Sequence, residues 1–214
     1  MLSFQDFFVA CNGKWVTERI YHFVLREEVE RSHTEFRADR LSAEAKRHML
    51  AASIQGYGPF AHAQVDLTSD EVANGCPGFV VSFDTVSEKG ETVSMSLKAL
   101  FVPDAYVVRQ DVVVTPLLPS ASVVSEEDGD IVRGYYLRNE GYFDPGAIAG
   151  RFTYQPARQT LEMTTFYNRS VAVDQMRFVA PDMRMRTIVT YQRPSAGEVP
   201  TVIDLIGFGV ERRQ

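Results

Sequence analysis

Two arginines alternate with two methionines near the end of the chain, in the stretch Met183-Arg184-Met185-Arg186. Successive side chains of a β-strand leave opposite faces, so this spacing places both guanidiniums on one face and both thioethers on the other. Arginine binds a carboxylate through two N–H donors, so paired guanidiniums suit an acidic ligand. The pattern therefore predicts either a charged interior or a methionine core whose arginines lie in water. Spacing alone favours the second interpretation.

The segment before this stretch supplies a carboxylate and apolar neighbours. Asp174, Met176 and Phe178 share one face of a strand that turns through Ala-Pro-Asp into the arginine strand. In a hairpin these three side chains can lie beside Arg184 and Arg186. The competing interpretation makes Asp174 a turn residue.

The two ends of the chain add further charged candidates. Arg19 shares a strand face with Trp15, Thr17 and Tyr21, and Glu211 ends the last strand. If these residues converge with the aspartate and both arginines of the hairpin, the interior holds three cations and two carboxylates. Such a set suits a ligand that carries both carboxylates and N–H donors. On its own, Glu211 also fits a solvated tail.

Composition places the chain among ordinary globular proteins. Its 214 residues are 45% apolar and 23% charged with a net charge of −6, and its pI is near 5.3. These values predict one domain, residues 1–214, with a sizeable core. The acidic balance and the lack of Lys/Arg runs argue against a nucleic-acid partner. No apolar run approaches a membrane span, and no targeting peptide is recognisable, so a cytoplasmic location is expected.

Neither the cysteines nor the histidines form a metal-binding pattern. Cys11 and Cys76 lie outside any Cys-x-x-Cys motif, and two thiols are too few for a disulfide framework. The four histidines show no i, i+4 spacing. We therefore expect no metal site. Cys11, on an apolar helical stripe, is expected to be a small buried hydrophobe, and Cys76 a loop residue.

Two short helices and many strands are predicted. Apolar residues that recur at spacings of three and four from Phe4 predict a first helix, capped by Ser3 and stopped by Gly13, and a second helix follows Ser42 and ends at Gly56. Later apolar runs are short, rich in β-branched and aromatic residues, and separated by turn residues at even intervals. Without helices for parallel crossovers, they predict a mainly β, antiparallel up-and-down barrel of about eight to ten strands.

Residues 107–130 and the triplet Gly13-Lys14-Trp15 add two details to the predicted barrel. Residues 107–130 mix apolar runs with prolines and an acidic patch, and we predict an extended insertion there. Gly13-Lys14-Trp15 joins the first helix to the first strand, as in lipocalins, whose tryptophan plugs the closed end of the barrel. A barrel of this size can hold one small ligand. Its inward positions carry charge when the ligand is charged, which favours inward arginines.

Five segments spread over most of the chain share the motifs of one known family. They are FFVACNGKWVTERIYHF, GFVVSFD, LRNEGYFDPGAIAGRFTY, MRFVAPDMRMRTIV and the terminal GFGVERR. On these segments the chain resembles the S-type phycobiliprotein lyases (the CpcS/CpeS group), which attach linear tetrapyrroles, the bilins, to cysteines of phycobiliproteins. The hairpin pattern F-x-(S/A)-P-(N/D)-x-R-x-R-T is its most specific part. Within residues 107–130 we match no motif of the family.

The resemblance implies a lipocalin-like barrel that binds a bilin and presents it to an acceptor. It implies that Asp174, Glu211 and Arg19 are catalytic, with the two carboxylates accepting from pyrrole N–H groups and favouring the protonated bilin. Arg19 would orient Glu211 or bind a propionate. Arg184 and Arg186 would bind the propionates.

Apolar contacts would hold the bilin rings. Phe83, Met176 and Trp15 are the ring-binding candidates that the resemblance implies. Two departures bear on the bilin's pose, because Phe83 stands where the family usually has Trp and Ile188 replaces a residue that commonly bears a hydroxyl. Asp174 also replaces a longer glutamate.

The implied partners are a bilin and an apo-phycobiliprotein subunit. The bilin, phycocyanobilin or phycoerythrobilin, is a substrate, and no permanent cofactor is expected. The acceptor would be a subunit of phycocyanin, phycoerythrin or allophycocyanin, and the lyase itself a homodimer or a heteromer with a related subunit. Two alternatives stay open: a bilin carrier without transfer activity, and a lipocalin-like binder of another hydrophobic acid.

Overall fold

The computed structural model describes residues 1–53, 64–65, 74–109, 118–121, 130–139, 148–195 and 198–214. Two α-helices and twelve strands lie within these ranges. In chain order they are α1 Phe4–Cys11, β1 Gly13–Phe23, β2 Glu28–Arg40, α2 Ala43–Ser53, β3 Gln64–Val65, β4 Gly78–Ser87, β5 Thr92–Pro103, β6 Val107–Arg109, β7 Val132–Arg138, β8 Ile148–Gln155, β9 Thr160–Phe166, β10 Ser170–Ala180, β11 Met183–Gln192 and β12 Ile203–Arg213.

Ten of the described strands close into a barrel. Their order around the wall is β1-β12-β11-β10-β9-β8-β7-β5-β4-β2, and β2 pairs with β1 to complete the circle. Each neighbouring pair is antiparallel, as expected for strands joined by short connections. The predicted mainly β, up-and-down barrel is confirmed. Strands β3 and β6 form a separate two-stranded sheet.

Helix α1 closes one end of the barrel. The Ser3 side chain accepts from the backbone N–H of Asp6 at 3.1 Å and caps the helix, as predicted. The helix ends at Cys11, and Gly13 begins β1 with a φ of +121°, a conformation that glycine tolerates. Its aromatic face, with Phe7 fully buried, packs into the core within the barrel. We call this end the closed end.

Two apolar clusters lie on the outside of the barrel. Helix α2 begins after Ser42, whose hydroxyl accepts from the Ala45 N–H at 3.1 Å, and covers a cluster that includes Leu50 and Leu100. Cys76 is a loop residue, as predicted, yet it is fully buried in this cluster. Leu118, within the predicted insertion, packs on the wall in the other cluster. No helix in the described ranges is long and apolar enough to cross a membrane.

Two sequence predictions lie partly or wholly outside the described residues. Gly56, the predicted end of the second helix, is one of them, since α2 is described to Ser53. The predicted insertion, residues 107–130, is described only at β6, residues 118–121 and Asp130.

Candidate functional site: a layered cluster of arginines and carboxylates inside the barrel

The β10–β11 hairpin turns its arginines into the barrel. Its register pairs Phe178 with Arg184 and Met176 with Arg186. Met176 and Phe178 belong to the interior cluster, so the arginines opposite them share that face. Arg184 is only 2% exposed, whereas Met185, on the other face, is 47% exposed. The interpretation that placed both methionines in the core and the arginines in water is therefore wrong.

The deepest charged group is an ion pair between Arg184 and Glu211. These residues are direct neighbours across β11 and β12, and Arg184 Nη2 lies 2.6 Å from Glu211 Oε2. The guanidinium also lies over the Trp15 ring, 4.0 Å from its centroid, a position that favours a cation–π interaction. Trp15 is itself fixed, because its Nε1 donates to the Cys11 carbonyl at 3.0 Å. We call Arg184, Glu211 and Trp15 the lower layer. It is closed to solvent, since Glu211 and Trp15 are 0% exposed.

Glu211 also approaches the arginines above it. Its Oε1 lies 3.4 Å from Arg19 Nη2 and 3.9 Å from Arg186 Nη1. Burial by itself raises the pKa of this carboxyl, but the charges of Arg184, Arg186 and Arg19 outweigh it and hold the pKa below its usual value. Glu211 is therefore ionised, and it joins the two layers.

The upper layer combines a carboxylate and two guanidiniums that remain partly exposed. Asp174 accepts two hydrogen bonds from Arg186, one from Nε at 2.9 Å and one from Nη2. The side chains of Arg186, Arg19 and Asp174 are 23%, 18% and 17% exposed. This bidentate pair holds the Arg186 fork in one orientation while part of its surface stays accessible.

Two glycines leave β12 without side chains at the positions beside the upper layer. Gly209 is the ladder partner of both Arg19 and Arg186. A Cβ at this position would lie 2.9 Å from Thr17 Oγ1 and 3.2 Å from Arg19 Cγ. A Cβ at Gly207 would meet the Tyr21 ring at 2.8 Å. The absent side chains therefore leave room for Thr17, Arg19 and Tyr21 of β1 to lie against β12.

The predicted ring-binding residues lie at different depths. Phe83 is partly buried, is paired with Phe36 across β2 and β4, and packs against the interior cluster. Met176 is 4% exposed and Trp15 is fully buried. Phe83 is therefore accessible in part, while the other two form the floor of the interior.

Sequence reasoning missed one interior arginine, Arg138. It is 4% exposed, pairs across the ladder with Ala99 of the interior cluster, and donates from Nη1 to the Tyr167 hydroxyl at 3.0 Å. The signal was the phase of Gly-Tyr-Tyr-Leu-Arg, which puts Tyr136 and Arg138 on one strand face. Strand β7 lies four strands from β11 one way round and six the other, so Arg138 stands across the barrel from Arg186.

Both thiols of the chain are sealed. Cys11 is 1% exposed beneath Arg184, which confirms the predicted buried position, and Cys76 is 0% exposed under α2. Burial raises the pKa of both thiols, to about 12 for Cys76. Neither is positioned to act as a thiolate nucleophile.

Comparison with known proteins bears on the whole chain. The family model described as CpeS-like protein matches residues 118–214, which include the arginine hairpin and β12. The chromophore lyase CpcS/CpeS 1 of Synechococcus sp. (strain JA-3-3Ab) is 37% identical over 211 residues, which cover 99% of this chain and 96% of that protein. The structure of the S-type phycobiliprotein lyase CPES from Guillardia theta superposes with a TM-score of 0.61 at 19% identity, covering 100% of this chain and 93% of the other.

Proposed function

The chain belongs to the CpcS/CpeS family of chromophore lyases, and we propose that it binds a phycobilin within the barrel and joins it to a cysteine of an apo-phycobiliprotein subunit in the cytoplasm. The observation that carries this proposal is the upper layer, where Arg19, Arg186 and Asp174 stay partly exposed on the inner face. A bilin offers propionates to the guanidiniums and N–H donors to the carboxylate.

The reaction is addition of a thiol to the ethylidene group on ring A of the bilin. The sulfur–carbon bond of a thioether forms, the thiol proton passes to the tetrapyrrole, and no group leaves. The acceptor protein supplies the thiol, which agrees with the buried, high-pKa state of Cys11 and Cys76. The task of this chain is then to fix the bilin in one orientation, which can contribute several kcal/mol to the rate acceleration.

We assign ligand contact to the upper layer. Arg186 and Arg19 bind the propionates, and Asp174 accepts from pyrrole N–H groups and favours the protonated, more electrophilic bilin. Arg184 and Glu211, the other two candidates from sequence, are 2% and 0% exposed, so each reaches a ligand only if the arginines above it move. We propose that these two act on the bilin through Arg19 and Arg186, whose positions Glu211 fixes.

Apolar contacts complete the proposed bilin site. Phe83, partly accessible on the inner wall, stacks on a pyrrole ring. Met176 and Trp15 support the bilin from the floor of the interior, where both are buried.

The proposal is tested by mixing the purified protein with phycocyanobilin or phycoerythrobilin and with separate apo-subunits of phycocyanin, phycoerythrin and allophycocyanin. A lyase yields a zinc-fluorescent covalent adduct on at least one acceptor faster than the bilin reacts unaided. Colour on the protein without enhanced adduct formation identifies a carrier instead. No visible colour identifies a binder of another acid. Gel filtration of the reacting mixture reports whether a homodimer or a related subunit takes part.

A further inference from the structure

Large apolar side chains are exposed at the end of the barrel opposite α1, which no α-helix of the described ranges covers and which we call the open end. Seven of them, each 44–55% exposed, belong to the connections there or to the adjoining ends of the strands; they are Val24, Leu25, Val29, Val86, Val93, Val199 and Val202. They make up more than half of the large exposed apolar side chains in the described ranges. Exposed apolar side chains gathered in one area mark an interaction surface more often than isolated ones do.

The topology places these seven residues along one side of the open end. The sheet order runs β12-β1-β2-β4-β5 on this side of the barrel. Phe23 pairs with Leu205, so the β1–β2 connection lies beside the residues that lead into β12, and the short 3₁₀ turn Val24–Arg26 in this connection contacts β12. His33 pairs with Val86, which continues the arc from β2 to β4. We call these seven side chains the rim arc.

The rim arc lies on strands that carry part of the proposed site, whereas Arg186 and Asp174 stand on β11 and β10 beside them. Arg19 lies on β1, Glu211 on β12 and Phe83 on β4. The closed end gives no comparable access, because Phe7 and Phe8 of α1 pack into the interior there. A macromolecule that reaches a ligand in the upper layer therefore approaches over the open end.

We propose that the rim arc is the docking surface for the acceptor apoprotein, a folded subunit that presents its cysteine from an apolar surface. This inference rests on the proposed function, because it is thioether formation that requires the acceptor thiol to reach the bilin while it is still held. The charges beside the arc are of both signs, as in the exposed Arg26–Glu28 pair, whose Nη1 and Oε2 are 4.0 Å apart. Residues 24–31 and 87–91 hold five glutamates and three basic residues, and an apolar patch among mainly acidic charges suits a protein surface rather than a polyanion.

The experiment compares Leu25→Glu in the rim arc with Val9→Glu on α1 at the closed end. The two wild-type side chains are equally exposed, 53% and 50%, so neither change buries a charge. Each variant is loaded with phycocyanobilin, and its visible absorption gives bilin affinity. Transfer rates are then measured against acceptor concentration, and gel filtration gives the oligomeric state. Val202→Glu, on the other side of the arc, repeats the test at an independent position.

We expect both arc variants to bind bilin as wild type does but to need about tenfold more acceptor for half-maximal transfer. Val9→Glu should stay within about twofold of wild type. Unchanged acceptor dependence in both arc variants overturns the inference. So does a change of oligomeric state caused by the arc variants alone, since the arc would then bind a second copy of the chain. If wild type itself neither binds bilin nor transfers it, the proposed function fails, and this inference falls with it.

Discussion

Arg184 and Arg186 stand two residues apart on one face of β11, yet their surroundings differ. Arg184 is 2% exposed, lies over the Trp15 ring and is paired with a fully buried glutamate. Arg186 is 23% exposed and is held by a partly exposed aspartate. The same residue type therefore serves the core in one layer and faces the accessible interior in the next. Depth along the strand separates the two roles.

Charge divides in the same way between the layers. Arg184 and Glu211 form a neutral pair in the lower layer. Arg19, Arg186 and Asp174 in the upper layer sum to one positive charge. Because the partly exposed layer carries the excess cation, an acidic ligand gains most by binding there. The sealed layer beneath adds rigidity without competing for the ligand.

The largest expected effect comes from Glu211→Gln, which removes the charge that compensates buried Arg184. An uncompensated buried charge costs about 3–5 kcal/mol of unfolding free energy. Urea denaturation followed by circular dichroism measures this loss. Asp174→Asn is the matched control, because its carboxylate is partly exposed, and it should cost about 1 kcal/mol. Equal losses in the two variants would show that the layers do not differ in the way we describe.

The pH dependence of unfolding sharpens the same comparison. The folded pKa of Glu211 is lowered below its ordinary value of 4.5, so the carboxylate stabilises the fold above that value. This contribution is lost as pH falls through the folded pKa. The stability difference between wild type and Glu211→Gln should therefore be full near pH 7 and shrink below about pH 4.5. A difference that stays constant from pH 7 to pH 3 contradicts the prediction.

Gly209→Ala should lower the unfolding free energy by an intermediate amount and should also displace a residue of the upper layer. The new Cβ would crowd the Glu18 carbonyl oxygen at 2.8 Å and Arg19 Cγ at 3.2 Å. Overpacking of this kind costs about 1–3 kcal/mol. Because Arg19 must shift, bilin affinity should fall as well, as measured by absorption titration. Gly90→Ala, a turn position with open space but a φ of +82°, is the control, and it should lower stability by backbone strain while leaving bilin affinity unchanged.

The sequence was sufficient to group the charged residues but not to give their depth. Strict alternation placed Arg184 and Arg186 on one face, and the short turn brought Asp174 beside them, as the register confirms. Both faces of the strand carry apolar neighbours, so alternation could not tell the inner face from the outer one. The decisive information is contact with Trp15, more than 160 residues away in the chain.

Two other features needed the three-dimensional register. The role of Gly209 depends on Arg19 and Arg186 meeting across it, and no local pattern contains both partners. Arg138 was missed because nothing in its own strand shows whether Tyr136 and Arg138 face inward or outward. The helix caps at Ser3 and Ser42, by contrast, depend on residues within one turn and were predicted from the sequence.

Arg186→Lys separates charge from geometry in the upper layer. Lysine keeps the positive charge but loses the two-pronged fork that Asp174 holds. Bilin affinity should fall about tenfold, while unfolding free energy changes by about 1 kcal/mol or less. Arg177→Lys on the exposed outer face of β10 is the matched control and should leave both quantities unchanged. A loss of unfolding free energy without a loss of bilin affinity would mean that Arg186 has the structural role of the lower layer, as Arg184 does.

The smallest expected effect tests which face of β11 is the outer one. Met185 lies between the two arginines and is 47% exposed, so Met185→Lys should change unfolding free energy by only about 0.5 kcal/mol and leave bilin absorption unchanged. Met176→Lys, at a 4% exposed position on the inner face of the neighbouring strand, places a charge in the core and should destabilise the fold by several kcal/mol. Thermal denaturation of both variants gives the comparison. A loss in Met185→Lys as large as that in Met176→Lys would contradict the assignment of the thioether face of β11 to the exposed outer wall.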